Sequence, residues 1–273
     1  MYDFKFKSKK EVLSNPEDFL IFVKRLLPRW ANGIPDSEAI ALYKLLKLLK
    51  KKNKKLTIVE TGVGASTVAL FLYCAINGGR VFSWDHNGHK GSYLKTVLSE
   101  AICTLLKVDL NKHLTFVPFD PTDRYVGISV LKELKIKADF AFFDSLHTHQ
   151  QVFKELREFE EISSSNFIVA VDDAYYERKY TNFPYINMLR SKLNLNIINE
   201  PKDNIGKALH VELYNHLVQK YKRVSRIKDY YKKNYKNDIF FKYFSGDREF
   251  MDKYKMEEKN KLRHRLEAFK IIK

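Results

Sequence analysis

Four apolar runs in this chain end in an acid: Thr57–Glu60, Val81–Asp85, Asp139–Asp144 and Phe167–Asp172, the last followed at once by Asp173. A carboxylate at the end of an apolar strand is costly unless it binds or pairs with something. In open α/β sheets the carboxyl ends of strands are also where ligands sit. Asp144, Asp172 and Asp173, at the ends of neighbouring strands, could converge into a hard oxygen site suited to Mg²⁺, Mn²⁺ or Ca²⁺. His147, three residues beyond Asp144, could reach a substrate hydroxyl as a general base. The plainer alternative is that Asp172 and Asp173 cap the next segment and that His147 is a polar surface residue.

The stretch Thr57-Ile58-Val59-Glu60-Thr61-Gly62-Val63-Gly64-Ala65-Ser66-Thr67 carries a second kind of chemistry. A short β-branched run, two glycines and the start of an apolar helical pattern make a strand, a tight turn and a helix N-terminus. Gly62 and Gly64 let a small ligand approach bare backbone. Asp85 follows Gly64 by 21 residues at the end of the next strand. An acid at about that distance grips a nucleoside ribose in a β-α-β unit. Together these residues point to an adenosine-containing cofactor.

The elements that must position these residues follow from periodicity. Strands are expected at 57–60, 81–85, 114–118, 139–144, 167–172, 195–199 and 208–213, with helices at 66–76, 91–107, 125–135, 149–162 and 184–193. Several strands are continuous apolar runs, as expected when both sheet faces are covered by helices. The alternation predicts an α/β, doubly wound, Rossmann-like sheet of seven mostly parallel strands. N-terminal helices precede it, and the Lys-, Tyr- and Phe-rich segment after 215 reads as a basic helical appendage. The expected division is 1–35, an N-terminal helical segment; 36–214, the cofactor-binding domain; and 215–273, the appendage.

With 273 residues, 45% of them hydrophobic, the chain can bury a large core. No apolar run approaches the ~18–20 residues of a transmembrane helix, and the N-terminus lacks a secretory signal pattern. Cys74 and Cys103 show no metal-ligand spacing and read as buried thiols of a cytoplasmic protein. The formal charge is +16, and 216–273 holds 18 Lys+Arg against 8 Asp+Glu, so 18 − 8 = +10 lies there. Such a surface is compatible with nucleic acid or phosphorylated substrates. A solvated basic surface is the favoured reading, because Lys far outnumbers Arg.

Glu60-Thr61-Gly62-Val63-Gly64-Ala65-Ser66-Thr67, Asp85, Phe143-Asp144 with His147, and Asp172-Asp173 resemble the class I S-adenosylmethionine-dependent methyltransferases. Within them, the pattern is most similar to the small-molecule O-methyltransferases that modify catechols and macrolide sugars. The resemblance spans roughly residues 36–214. It implies that Gly62, Gly64 and Ser66 belong to the cofactor turn, that Glu60 fixes the amino end and that Asp85 takes the ribose hydroxyls. It also implies that Asp120 lies near the adenine, that Asp144, Asp172 and Asp173 hold a metal, and that His147 with Asp144 serves catalysis. The implied strand at 208–213 is antiparallel. Ser163-Ser164-Ser165-Asn166 stands where many members have a glycine pair, and Ser145 where glycine is frequent.

The expected reaction is methyl transfer to a hydroxyl of a small molecule such as a sugar or glycan precursor. Arg178 and Lys179 are candidates for holding a substrate phosphate, and Tyr175 and Tyr176 for walling the pocket. Three alternatives stand beside this one. Gly62-x-Gly64-x-x-Thr67 is one residue from a dinucleotide fingerprint, which would suit an NAD(P)-dependent oxidoreductase. A nucleic-acid methyltransferase or binder would use the basic tail with Tyr230, Tyr231, Tyr235 and Phe241 as stacking surfaces. The third is a non-catalytic member of the fold. A homo-oligomer is compatible with all of them.

Overall fold

The computed structural model describes residues 6–49, 54–118, 127–146, 148–174, 187–188, 190–197, 209–227 and 266–273. Helices α1 (Lys9–Ser14), α2 (Pro16–Arg25) and α3 (Asp36–Leu49) precede the first strand. Ser8 caps α1 by accepting from the Glu11 N–H, and α2 starts with Pro16, whose missing N–H costs nothing at a helix start. Then follow β1 (Leu56–Thr61), α4 (Ala65–Asn77), β2 (Gly79–Asp85) and α5 (Gly88–Leu98). A π-helical turn, Ser99–Cys103, carries α5 into the short α6 (Thr104–Leu106). After α7 (Leu110–His113) come β3 (Leu114–Pro118), α8 (Val130–Glu133), β4 (Ala138–Phe143), α9 (His149–Ile162) and β5 (Ser163–Val171). The chain ends with α10 (Leu209–Lys220), β6 (Arg223–Arg226) and β7 (Glu267–Ile272).

These strands form one seven-stranded sheet in the order β3-β2-β1-β4-β5-β7-β6. β1 pairs in parallel with both β2 and β4, whereas β7 runs antiparallel to β5 and β6. The strand order reverses at β1, so a crevice opens between the carboxyl ends of β1 and β4. The doubly wound, Rossmann-like α/β sheet expected from the apolar rhythm is the observed architecture.

Both faces of the sheet are covered. Ile58, Phe140, Phe142, Ile168 and Ala170 join α2, α3, α4 and α5 in one apolar cluster. Val59, Ala141, Phe143, Val169 and Val171 turn to the other face and pack with α8, α9 and α10. The strict alternation along each strand feeds two cores at once, which is why these strands read as unbroken apolar runs.

Two expectations need correction. Residues 209–213 of the expected terminal strand 208–213 are not in a strand; from Leu209 the chain is helical. Leu209, Leu213 and Leu217 are buried at four-residue spacing, while Val211, which a strand would bury with Leu209 and Leu213, is 42% exposed. The apolar alternation over 208–213 was shorter than the helical period that overrides it. Correspondingly, 215–273 is not helical throughout: it supplies both β6 and β7, and β7 fills the sheet between β5 and β6. Of the expected strand at 195–199, residues 195–197 are not in a strand, and 198–199 lie outside the described residues. Among the described residues, no helix is long and apolar enough to cross a membrane.

Candidate functional site

The site is built from the turns that leave β1, β2, β4 and β5. Thr61 closes β1, and its carbonyl accepts the Asp144 N–H at 2.8 Å. Gly62 then donates to the Trp84 carbonyl at 2.8 Å with φ +89°. A Cβ on Gly62 would lie 2.0 Å from the Asp144 carbonyl oxygen. No side chain fits there, and the left-handed backbone excludes one independently. Gly64 precedes α4 with an extended backbone, and a Cβ there would lie 3.3 Å from the Ala31 carbonyl oxygen. The segment before α3 therefore passes close over the glycine turn.

Asp85, at the tip of β2, is 6% exposed. Its Oδ2 accepts the Val63 N–H at 2.8 Å and its Oδ1 accepts the Asn87 N–H at 2.7 Å. Lys90 Nζ stands 3.7 Å from Oδ2, and the same ammonium group lies beside Gly64. Two backbone donors thus aim the carboxylate across the turn, leaving lone pairs for further donors. A ribose diol is a fitting donor. With the bare backbone of Gly62 and Gly64, this edge fits an adenosine cofactor.

Glu60 and Ser66 sit beneath the turn. Glu60 is fully buried, and its carboxyl accepts from Ser66 Oγ at 2.6 Å, Thr67 Oγ1 at 2.8 Å and Ser83 Oγ at 2.6 Å. Burial outweighs these three bonds and, with the nearby Asp144 charge, pushes the carboxyl up to about 7. Gly64 N–H donates to Thr67 Oγ1 at 3.0 Å, so the acid, the glycine and the first turn of α4 are one network. The Ser66 hydroxyl is used in that network.

Asp144 and Asp172 follow β4 and β5 directly, and the Asp172 N–H donates to the Phe143 carbonyl at 3.0 Å. Asp172 is buried, Asp144 and Asp173 are half-buried, and Asp173 has φ +51°. The left-handed backbone at Asp173 breaks the strand direction immediately after Asp172. Among the described residues, no group of three or more His, Cys, Asp or Glu side chains is placed to hold a metal ion. Asp144, Asp172 and Asp173 share the sheet edge without forming such a group. Asp120 and His147 lie outside the described residues, as do Tyr175, Tyr176, Arg178, Lys179, Tyr230, Tyr231, Tyr235 and Phe241.

Three features went unnoticed in the sequence. Lys90 flanks Asp85, as above. Glu155, in the middle of α9, is buried beneath the turns after β1 and β4; its register with Val152, Leu156 and Phe159 on the buried face was the signal. His149 Nδ1 lies 2.5 Å from Glu212 Oε2, tying the start of α9 to α10, while His210 of α10 contacts the Ala174 carbonyl.

Residues 59–174 match a family model described as a methyltransferase domain. No curated protein sequence matches the chain. Among solved structures, an O-methyltransferase from Bacillus cereus in complex with S-adenosylhomocysteine is 15% identical, covers 82% of this chain and 84% of its own, and has a TM-score of 0.45. The O-methyltransferase TomG from Streptomyces achromogenes, involved in tomaymycin synthesis and bound to S-adenosylmethionine, is 11% identical, with 83% and 91% covered and a TM-score of 0.43. A TDP-rhamnose 3′-O-methyltransferase of calicheamicin biosynthesis is 20% identical, with 70% and 87% covered and a TM-score of 0.41. The matched segment begins in β1, ends after β5 and contains the glycine turn, Asp85, Asp144, Asp172 and Asp173. Residues 59–174 thus resemble a methyltransferase domain, carried on a doubly wound α/β sheet.

Proposed function

We propose that this chain transfers a methyl group to a hydroxyl of a small molecule, a sugar or glycan precursor being the preferred class. One observation carries the reading: the cofactor turn and the acidic ends of β4 and β5 meet at a single edge. There Gly62 packs on the Asp144 backbone, and the Asp172 N–H is bonded to Phe143. Asp85 holds the ribose, and the Gly62–Gly64 backbone lies along the rest of the cofactor. Bound there, S-adenosylmethionine supplies an electrophilic methyl carbon. The protein's contribution is mainly alignment of the acceptor oxygen with that carbon.

Asp144, half-buried beside Gly62, would accept a hydrogen bond from the acceptor hydroxyl and so orient it. His147, three residues on, is the base assigned by the family resemblance; it would receive the hydroxyl proton as the C–O bond forms and the methyl–sulfur bond breaks, the thioether S-adenosylhomocysteine being the leaving group. A hard divalent cation such as Mg²⁺ is what the family resemblance assigns to Asp144, Asp172 and Asp173. The described side chains do not form that cage, so no step is assigned to it. Arg178 and Lys179 supply positive charge for a phosphorylated acceptor.

The test is direct. Purified full-length protein is incubated with radiolabelled S-adenosylmethionine and a panel of nucleotide sugars, catechols and RNA, with Mg²⁺ and without. Label transfer to a sugar hydroxyl supports the proposal. Transfer to RNA alone, or to a nitrogen acceptor, overturns it.

A further inference from the structure

Glu155, on α9, is 3% exposed and accepts three hydrogen bonds. Thr61 Oγ1 donates at 2.9 Å, Gln151 Nε2 at 2.8 Å and Ser145 Oγ at 2.6 Å. Two of these donors come from the turns that frame the switch-point crevice. Thr61 is the residue before Gly62, and Ser145 is the residue after Asp144. A single carboxyl group therefore clasps both turns from beneath. Above it, the backbone contacts between Thr61, Gly62 and Asp144 complete the junction.

Burying a carboxyl group is expensive, and burial pushes this one up to about 7 despite its three donors. An apolar side chain would fill the position between Val152 and Phe159 without that cost. Such a side chain could not connect the two turns. Gln151 sits one helical turn before Glu155 and reaches the same oxygen as Ser145, which fixes the carboxyl orientation. Loosening the clasp by an ångström would leave the fold standing and the crevice misshapen, because the turns also belong to different strands.

We propose that Glu155 is a positioning residue that locks the Gly62 turn to the Asp144–Ser145 turn and so sets the affinity of the cofactor crevice. The proposal rests on the cofactor assignment made above. The full-length protein is titrated calorimetrically with S-adenosylhomocysteine as wild type, Glu155→Ala, Glu155→Gln and Asp139→Asn. Asp139 supplies the control. It is equally buried, but at the amino end of the sheet, where it accepts from Lys54, the Thr57 N–H and Ser164.

Glu155→Ala is expected to weaken binding at least tenfold in protein that still unfolds cooperatively. Glu155→Gln, which keeps the shape and an acceptor oxygen, stays within about threefold of wild type. Asp139→Asn lowers the melting temperature and leaves the affinity unchanged. Folded Glu155→Ala protein that binds within twofold of wild type overturns the proposal, as does equal weakening by Asp139→Asn. Should Glu155→Ala fail to fold, Ser145→Ala and Thr61→Val each remove one donor. A severalfold loss from both supports the clasp, and no loss from either overturns it. Failure of the wild type itself to bind would instead overturn the cofactor assignment.

Discussion

Gly62 and Asp144 meet backbone to backbone: a Cβ on the glycine would lie 2.0 Å from the Asp144 carbonyl oxygen. That contact joins the cofactor turn of β1 to the acceptor-side turn of β4 at the point where the strand order reverses. Gly62→Ala must relieve both this overlap and φ +89°. It is expected to cost roughly 1–3 kcal/mol from the backbone conformation alone, and to abolish measurable S-adenosylhomocysteine binding. Urea unfolding and calorimetry check the two parts separately.

Asp85 offers a cleaner separation of binding from folding. Asp85→Ala removes the acceptor of the Val63 and Asn87 N–H groups. Losing the proposed ribose hydrogen bonds to this carboxylate costs on the order of 1.5–3 kcal/mol, so S-adenosylhomocysteine affinity should fall roughly 10- to 100-fold. Unaltered affinity would remove Asp85 from the site.

Glu60 and Glu155 make stability depend on pH in a direction opposite to that of ordinary surface carboxylates. Each is raised by burial to about 7 in the folded protein, above the unfolded value near 4.5. The folded state therefore holds more protons between those limits. The stability they contribute is fully present below pH 4.5 and lost as pH rises through 7. Each contributes at most about 3 kcal/mol of this dependence. Glu60→Gln, which cannot ionise, should flatten the decline in melting temperature between pH 5 and pH 8. An unchanged slope would contradict the burial effect.

Chelation separates the two halves of the site. The proposed cofactor half, Gly62, Gly64 and Asp85, uses backbone and one carboxylate. Exhaustive treatment with EDTA is expected to leave the S-adenosylhomocysteine dissociation constant unchanged within twofold. A larger loss would place a cation among the cofactor contacts.

Phe269 tests the last strand. It is fully buried on β7 opposite Val169 and stacks on Tyr214 of α10. Phe269→Ala should destabilise the whole domain by about 3–5 kcal/mol in urea unfolding. A change below 1 kcal/mol would mean that β7 is peripheral to the fold.

The residues that carry the cofactor assignment were legible because their signals are local. The β-branched run into Gly62, the turn to Gly64 and the apolar pattern of α4 lie within one stretch of chain. The acid at Asp85 comes one β-α-β unit later, and α9 and β3 have the bounds that their periodicity predicts. The metal expectation was less secure because it depended on how three side chains converge. The left-handed backbone at Asp173 is invisible in a sequence where aspartate adopts it without glycine.

The sequence by itself determined where strands β1 to β5 run and which edge carries the acids, since a strand covered on both faces must be apolar at every position. It misread 208–213, where a two-residue alternation was embedded in a longer four-residue one, and it hid β7 at the end of a basic run. Only the tertiary structure decided that β7 inserts between β5 and β6, because its pairing with β5 joins segments about 100 residues apart. It alone decided that Glu155 clasps Thr61 from 94 residues away. A buried acid on a helix looks like any amphipathic register until the fold supplies its donors, and only packing brings those donors within hydrogen-bond reach.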